Sequence, residues 1–353
     1  MIVVGVDAHK GVHVAVALDE AGRELSEWRG PNNAAGWRSL IEWATALPTP
    51  RVWGIEGAWS YGRGLAQQAV SEGETVYEVN PRWTALGRRR ARKPDKSDRL
   101  DARAVAHFVR QEASSLPQVA AEDVTAVLDL LTTEREGALA EATRLRNQIH
   151  ALLLQVEPEY RARLKKFRSK AALDALETYA PAGDGLLHAH RLTAVRMLAK
   201  RLRLALSQVD ELARRIETLA AEDFAPLTRL CGVNLLTAGA LAGILGPGNR
   251  FSSEAQLAAY AGAAPLEASS AGRIRHRLNR GGNRRLNCVL YRIVLTQASH
   301  LPEAKAYIER RVSEGKTRRE ARRALTRYIA RAVWRLWQEC QSTSVSVSMD
   351  EAA

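Results

Sequence analysis

The sequence predicts an α/β domain followed by mainly helical regions, and three observations carry that prediction. Nearly continuous β-branched runs that close on acids recur in the first third of the chain. A heptad-spaced apolar seam then runs twice through the middle. The last third alternates short helical patterns with glycine turns and clusters of arginine.

The opening run Ile2-Val3-Val4-Gly5-Val6 reads as a buried central strand, with Asp7 at its end and Ala8-His9-Lys10-Gly11 as the turn. Val12 to Leu18 reads as a second strand. Arg51-Val52-Trp53-Gly54-Ile55-Glu56 repeats the apolar run closing on an acid, and Thr75 to Asn80 is a further strand stopped by Pro81. Lys96-Ser97-Asp98-Arg99-Leu100-Asp101-Ala102-Arg103 opens a helix through Val109, with Asp98 and Asp101 on one face. A ribonuclease-H-type arrangement of these elements gathers Asp7, Glu56, Asp98 and Asp101 around divalent metal. Carboxylate oxygens suit Mg²⁺ or Mn²⁺, and two ions about 3.5–4 Å apart stabilise both the attacking and leaving oxygens of phosphoryl transfer. Taken singly, the acids also suit a strand end, an N-cap at Asp98 and a first-turn acid at Asp101.

Charge points to a polyanionic partner. Lys and Arg number 52 against 39 acids, a net +13 over 353 residues, and counterion release turns such an excess into affinity for nucleic acid. The bases are clustered. One block holds Arg82, Arg88, Arg89, Arg90, Arg92, Lys93 and Lys96; a second holds Arg273, Arg275, His276, Arg277, Arg280, Arg284 and Arg285; a third runs from Arg310 to Arg335. At 46% hydrophobic residues the chain can bury more than one core. The longest apolar run, Leu235 to Leu245, is too short to span a membrane, and the first residues form a strand rather than a signal peptide, so a cytoplasmic location is expected. Three scattered cysteines give neither a disulfide framework nor a zinc motif.

In the middle, Leu128, Leu131, Arg135, Ala138, Ala142, Leu145, Ile149, Leu152 and Val156 step by three and four, as do Val195, Leu198, Leu202, Ala205, Val209, Leu212, Ile216 and Leu219. Two long helices follow, forming either a coiled-coil arm or an internal bundle. The expected divisions are an α/β domain at 1–115, coiled-coil or dimerisation helices at 120–222, a C-terminal domain at 223–340 and a disordered tail at 341–353.

In the C-terminal region, Leu230 to Ala238 places a glycine turn before a small-residue helix. Ser252 or Ser253 caps a helix that stops at Gly262 and Pro265, and Arg280-Gly281-Gly282-Asn283 leads into another. Between them lies Glu267-Ala268-Ser269-Ser270-Ala271-Gly272-Arg273. A serine on such a basic loop either caps and hydrogen-bonds locally or attacks a phosphodiester and holds the DNA as a phosphoserine ester.

The segments Gly5 to Lys10, Ile55-Glu56 with Tyr61, Val79-Asn80-Pro81, Lys96 to Arg103, Tyr260-Ala261-Gly262 with Pro265, and Arg280 to Asn283 with Leu290-Tyr291 resemble the insertion-sequence transposases of the IS110 family. They occur in the family's order across nearly the whole chain. Gly57-Ala58-Trp59 and Cys231-Gly232-Val233-Asn234 depart from its usual pattern. The resemblance implies a RuvC-like DEDD domain, a coiled coil and a C-terminal transposase domain. It implies that Asp7, Glu56, Asp98 and Asp101 are the DEDD set and that the nucleophile is Ser270, with Ser269 as the alternative. It further implies tetramers and a structured noncoding RNA that pairs with donor and target DNA. Arg88, Arg89, Arg90, Arg92, Lys93, Arg273, Arg275, Arg277, Arg284 and Arg285 are the expected nucleic-acid contacts. The expected activity is therefore strand exchange that mobilises an insertion element. The alternatives are a metal-dependent junction endonuclease with no covalent intermediate and a noncatalytic RNA-binding protein.

Overall fold

The computed structural model describes residues 1–81, 97–162, 164, 167, 169–247, 250–267, 276, 277, 279 and 281–350. Two compact units emerge. The first joins Met1–Asp123 with Leu230–Gly232 and Leu245–Met349; the second is built from Val124–Arg229 and Val233–Ile244. The first unit thus joins the N-terminal segment to residues 245–349.

A five-stranded sheet organises the first unit, in the order β3-β2-β1-β4-β5. Its strands are β1 (Ile2–Ala8), β2 (Val12–Leu18), β3 (Glu24–Pro31), β4 (Arg51–Glu56) and β5 (Thr75–Val79). The first three form an antiparallel meander, while β4 and β5 run parallel to β1. Three of the expected strands appear where their apolar runs stand, and β5 stops one residue short of Asn80. The edge strand β3 was not anticipated, because its exposed and half-buried residues alternate along Glu24-Leu25-Ser26-Glu27-Trp28-Arg29.

Helices cover both faces. Val4, Val6, Trp53, Ile55 and Val76 pack with residues of α1 (Ala34–Thr45) and α2 (Arg63–Ser71). Val3, Val14, Val16 and Leu18 pack with Ala102, Val105, Ala106 and Val109 of α3 (Asp98–Glu112). Successive strand residues point to opposite faces, so Gly5 and Asp7 share the α3 face with Val3. Gly5 is what lets α3 lie so close: a Cβ there would stand 2.3 Å from both the Ala102 carbonyl oxygen and the Ala106 nitrogen.

The second unit holds α4 (Val124–Val156), α5 (Lys170–Glu177), α6 (Leu186–Asp223) and most of α7 (Leu235–Leu245). Leu145, Ile149 and Leu153 share a core with Val195, Ala199, Leu202 and Ala205, closed by Tyr160, Phe167, Leu173 and Leu176. The two long helices are therefore present, but the buried stripe departs from the heptad reading. Leu153, Ala199 and Ala220 are buried where Leu152, Leu198 and Leu219 were expected, and those leucines are only half-buried. A straight helix of 3.6 residues per turn drifts past a strict seven-residue repeat in this way.

The remaining helices return to the first unit: α8 (Glu254–Tyr260), α9 (Arg284–His300), α10 (Pro302–Ser313) and α11 (Arg318–Asp350). A short antiparallel pair, β6 (Leu266–Glu267) with β7 (His276–Arg277), precedes α9. Helix α11 runs on to Asp350. Extending an existing helix gains a hydrogen bond per residue without a new nucleus. Of the three cysteines, Cys340 is buried and Cys288 exposed. No helix among the described residues is long and apolar enough to cross a membrane.

Candidate active site

Asp7 and Glu56 stand opposite each other in the register of parallel β1 and β4, and hydrogen-bonded strands lie about 4.8 Å apart. The alternation that puts Gly5 against α3 also puts Asp7 there. Helix α3 then brings its first turn, with Asp98 and Asp101, to the same place. Its cap is Ser97, whose hydroxyl accepts from the Leu100 backbone N–H at 3.3 Å. Asp98 is therefore not the N-cap, and its carboxylate is available to the acid cluster.

Asp7 and Asp101 are only 4% and 5% exposed, whereas Glu56 and Asp98 are half-buried. Burial pushes the Asp7 carboxyl up to about 6, with the charges of Glu56, Asp101 and Asp98 raising it further and His9 opposing them. The four predicted acids are thus one electrostatic cluster. Asp101 adds the charge of a buried acid, so the repulsion at Asp7 is felt in a poorly solvated setting.

Three further residues belong to this site and were not singled out by the sequence reading. His9 Nε2 lies 3.0 Å from Asp7 Oδ2 and 3.7 Å from Asp98 Oδ1, and Asp7, His9 and Asp98 together present ligand atoms within 4.8 Å of one another. Its signal was the spacing alone, a histidine two residues beyond a strand-end acid. Arg29 of β3 donates to Asp98 Oδ2 at 3.1 Å. Asn32 Nδ2 donates to the carbonyls of His9 and Tyr61 at 3.1 Å, while its Oδ1 accepts from Trp37 Nε1 at 2.8 Å. That side chain ties the turn after β1 to the segment after β4, fixing the loops that flank both strand-end acids. Tyr61 itself is exposed.

The basic and serine candidates are distributed differently. Arg88, Arg89, Arg90, Arg92, Lys93, Ser269, Ser270, Arg273 and Arg275 lie outside the described residues. Arg277 is in β7. Arg284 is exposed and Arg285 half-buried, in the first turn of α9. Asn283 caps that helix, its Oδ1 accepting from Leu286 N–H at 3.0 Å.

An acid cluster at the end of a mixed sheet, in a basic chain, fits an enzyme acting on phosphodiester bonds. Comparison makes the class specific. A transposase family model matches residues 4–158, and a model described as the IS116/IS110/IS902 family of transposases matches residues 225–309. An insertion element IS110 protein of Streptomyces coelicolor is 26% identical over 92% of this chain and 91% of its own length. An insertion element IS116 protein of Streptomyces clavuligerus is 25% identical over 95% of this chain and 94% of its own. An IS900 protein of Mycobacterium paratuberculosis is 25% identical over 95% of both chains. The class is an insertion-element transposase. The two model matches together span more than half of the sequence, and the chain belongs to the IS110/IS116 family of transposases.

Proposed function

We propose that this transposase exchanges DNA strands through a covalent serine intermediate, with Ser270 as nucleophile and Ser269 as the alternative, beside a divalent-metal site of Asp7, Glu56, Asp98 and Asp101. The observation that carries the metal site is the Asp7 carboxyl, buried and pushed up to about 6 among three other acids. A cation among these oxygens relieves the repulsion, and the all-carboxylate set with His9 at its rim suits Mg²⁺ or Mn²⁺. The strand order β3-β2-β1-β4-β5 supports a RuvC-like reading of the sheet.

A bound divalent cation supplies Lewis-acid stabilisation of charge developing on phosphate oxygens. The residues do the rest. Asp7 and Asp101, held by β1 and α3, fix the acid side of the site, and Arg29 restrains Asp98. The serine Oγ attacks phosphorus; the Oγ–P bond forms, the bond from phosphorus to the deoxyribose oxygen breaks, and the serine proton ends on that leaving oxygen. Attack by a hydroxyl of a second strand reverses these steps and joins the new strand, so bond energy is conserved without ATP.

Base pairing with a structured noncoding RNA selects donor and target DNA, while clustered arginines supply sequence-independent backbone affinity. The net charge of +13 supports that division. A homo-oligomer, with tetramers expected, is supported by apolar residues left exposed on the long helices, including Leu130 and Leu154 on α4 and Met197 and Leu204 on α6.

The test looks for covalent protein–DNA adducts in cells carrying the complete parent element, which supplies the RNA. The expected result is an adduct with the unaltered protein and none with Ser270→Ala. Loss with Ser269→Ala instead moves the nucleophile by one residue. Metal-dependent cleavage without any adduct overturns the serine chemistry.

A further inference from the structure

On the opposite side of the sheet from the acids, a buried arginine is tied to β5. Arg250, only 6% exposed, donates from Nη2 to Glu78 Oε2 at 2.9 Å and to Tyr260 Oη at 3.0 Å, and from Nη1 to the Leu245 carbonyl at 3.3 Å. Its guanidinium sits 4.8 Å from the Tyr260 ring centroid, 5.3 Å from that of Phe251 and 5.5 Å from that of Trp59. Trp59 Nε1 also donates to Glu78 Oε2, at 3.2 Å. Only a planar fork with several donors meets three oxygens and three rings at once.

The network continues to residues on either side of the two serines in the sequence. Tyr260 Oη accepts from Asn283 Nδ2 at 2.9 Å, and the Tyr260 carbonyl accepts from Asn283 N–H at 2.6 Å. Asn287 Nδ2 donates to the Ala261 carbonyl at 2.9 Å. Beside these bonds, Gly262 at φ +66° meets Gly282 so closely that a Cβ on Gly282 would lie 2.2 Å from the Gly262 nitrogen. Tyr260-Ala261-Gly262 and Gly281-Gly282-Asn283 therefore clasp backbone to backbone. In the sequence that clasp encloses the stretch with Ser269 and Ser270.

We propose that Arg250 is a positioning residue, which through Tyr260 and Asn283 holds the clasp closed and anchors it to β5 at Glu78. Glu78 pairs in register with Ile55, next to Glu56, so the clasp is anchored on the strand that neighbours the one presenting an acid of the cluster. The arginine touches no DNA in this role; it holds Tyr260 to Gly262 against Gly281 to Asn283. The inference rests on the serine reading for its effect on chemistry, and on the clasp geometry for its effect on structure.

The test uses Tyr260→Phe, which keeps the ring under Arg250 but removes the hydroxyl that joins Arg250 to Asn283, with Arg250→Lys as the second variant. In the full-length protein with its RNA, both are expected to slow adduct formation by about tenfold to a hundredfold. DNA affinity should be unchanged, and for Tyr260→Phe the melting temperature should stay within about 5 °C. Amide hydrogen exchange within 263–281 is expected to speed up while the β1 to β5 sheet keeps its protection. Unchanged exchange in that segment overturns the proposal, as does faster exchange with an undiminished adduct rate. An unaltered protein that forms no adduct refutes the serine reading, and the exchange result then decides alone whether Arg250 holds the clasp.

Discussion

On the α3 face of the sheet, Asp7 is buried among acids and its carboxyl is pushed up to about 6; on the other face, Glu78 meets an arginine that is itself buried and bonded through both terminal nitrogens. Both acids lie on strands of one sheet, β1 and β5 with β4 between them, and each stands one residue from the end of its strand. The Arg250 side pairs its charge within the chain, whereas on the Asp7 side His9 and Arg29 offset only part of the mutual repulsion of the acids. Charge already matched internally holds a protein in shape, whereas charge left in repulsion is relieved by protonation or by an added cation, the role proposed above for a divalent metal.

The comparison can be broken most forcefully at Gly5. Gly5→Ala puts a Cβ 2.3 Å from backbone atoms of α3, so the helix must lift from β1. The expected loss is about 3 kcal/mol or more, with Asp98 and Asp101 displaced from Asp7 and metal binding lost; unfolding and calorimetric titration would show both. A variant of normal stability that binds metal would contradict the close docking of α3.

Next in size is the matched pair. Arg250→Met leaves Glu78 without its guanidinium in a part-buried setting and should cost about 3 kcal/mol in urea unfolding. A change below about 0.5 kcal/mol would mean the pair is not a structural charge.

Asp7→Asn should do the reverse. The folded pKa is raised above the ordinary 3.8 to about 6, so the stability tied to the protonated form is complete below about pH 4 and is lost as the pH rises through 6. Removing the charge should therefore stabilise the metal-free protein at pH 7.5 by roughly 1–3 kcal/mol, a gain that disappears near pH 4. The same variant should lose the rise in melting temperature that Mg²⁺ gives the unaltered chain. A loss of stability at pH 7.5 would remove the argument from repulsion.

Smallest is the cap. Ser97→Ala should cost about 1 kcal/mol and loosen the first turn of α3, visible as faster exchange at the Leu100 amide without loss of the fold. No change there would return the capping role to Asp98.

What the sequence made legible was whatever rests on one strand or one helix. Asp7 and Glu56 follow runs whose apolar character is itself the fold signal, and Asp98 and Asp101 begin a helix whose period is visible. Strand β3 was hidden because an edge strand wets alternate residues, and Arg29 went with it. His9 and Asn32 act through contacts between loops distant in sequence, which no periodicity encodes. Leu152 and Leu198 were assigned to the buried stripe because a heptad was imposed on a helix that follows its own 3.6-residue turn. Glu78 and Arg250, more than 170 residues apart, left no local trace of each other.

That separation fixes an order of events during synthesis. The sheet and its acids emerge first, yet Glu78 receives Arg250 only after the whole second unit has been translated, an interval on the order of ten seconds at ordinary elongation rates. Until then the nascent chain carries the acid cluster without the segment that bears the serines. A chain released early, or cut within the second unit, carries the whole acid cluster and Glu78 but neither Arg250 nor the two serines.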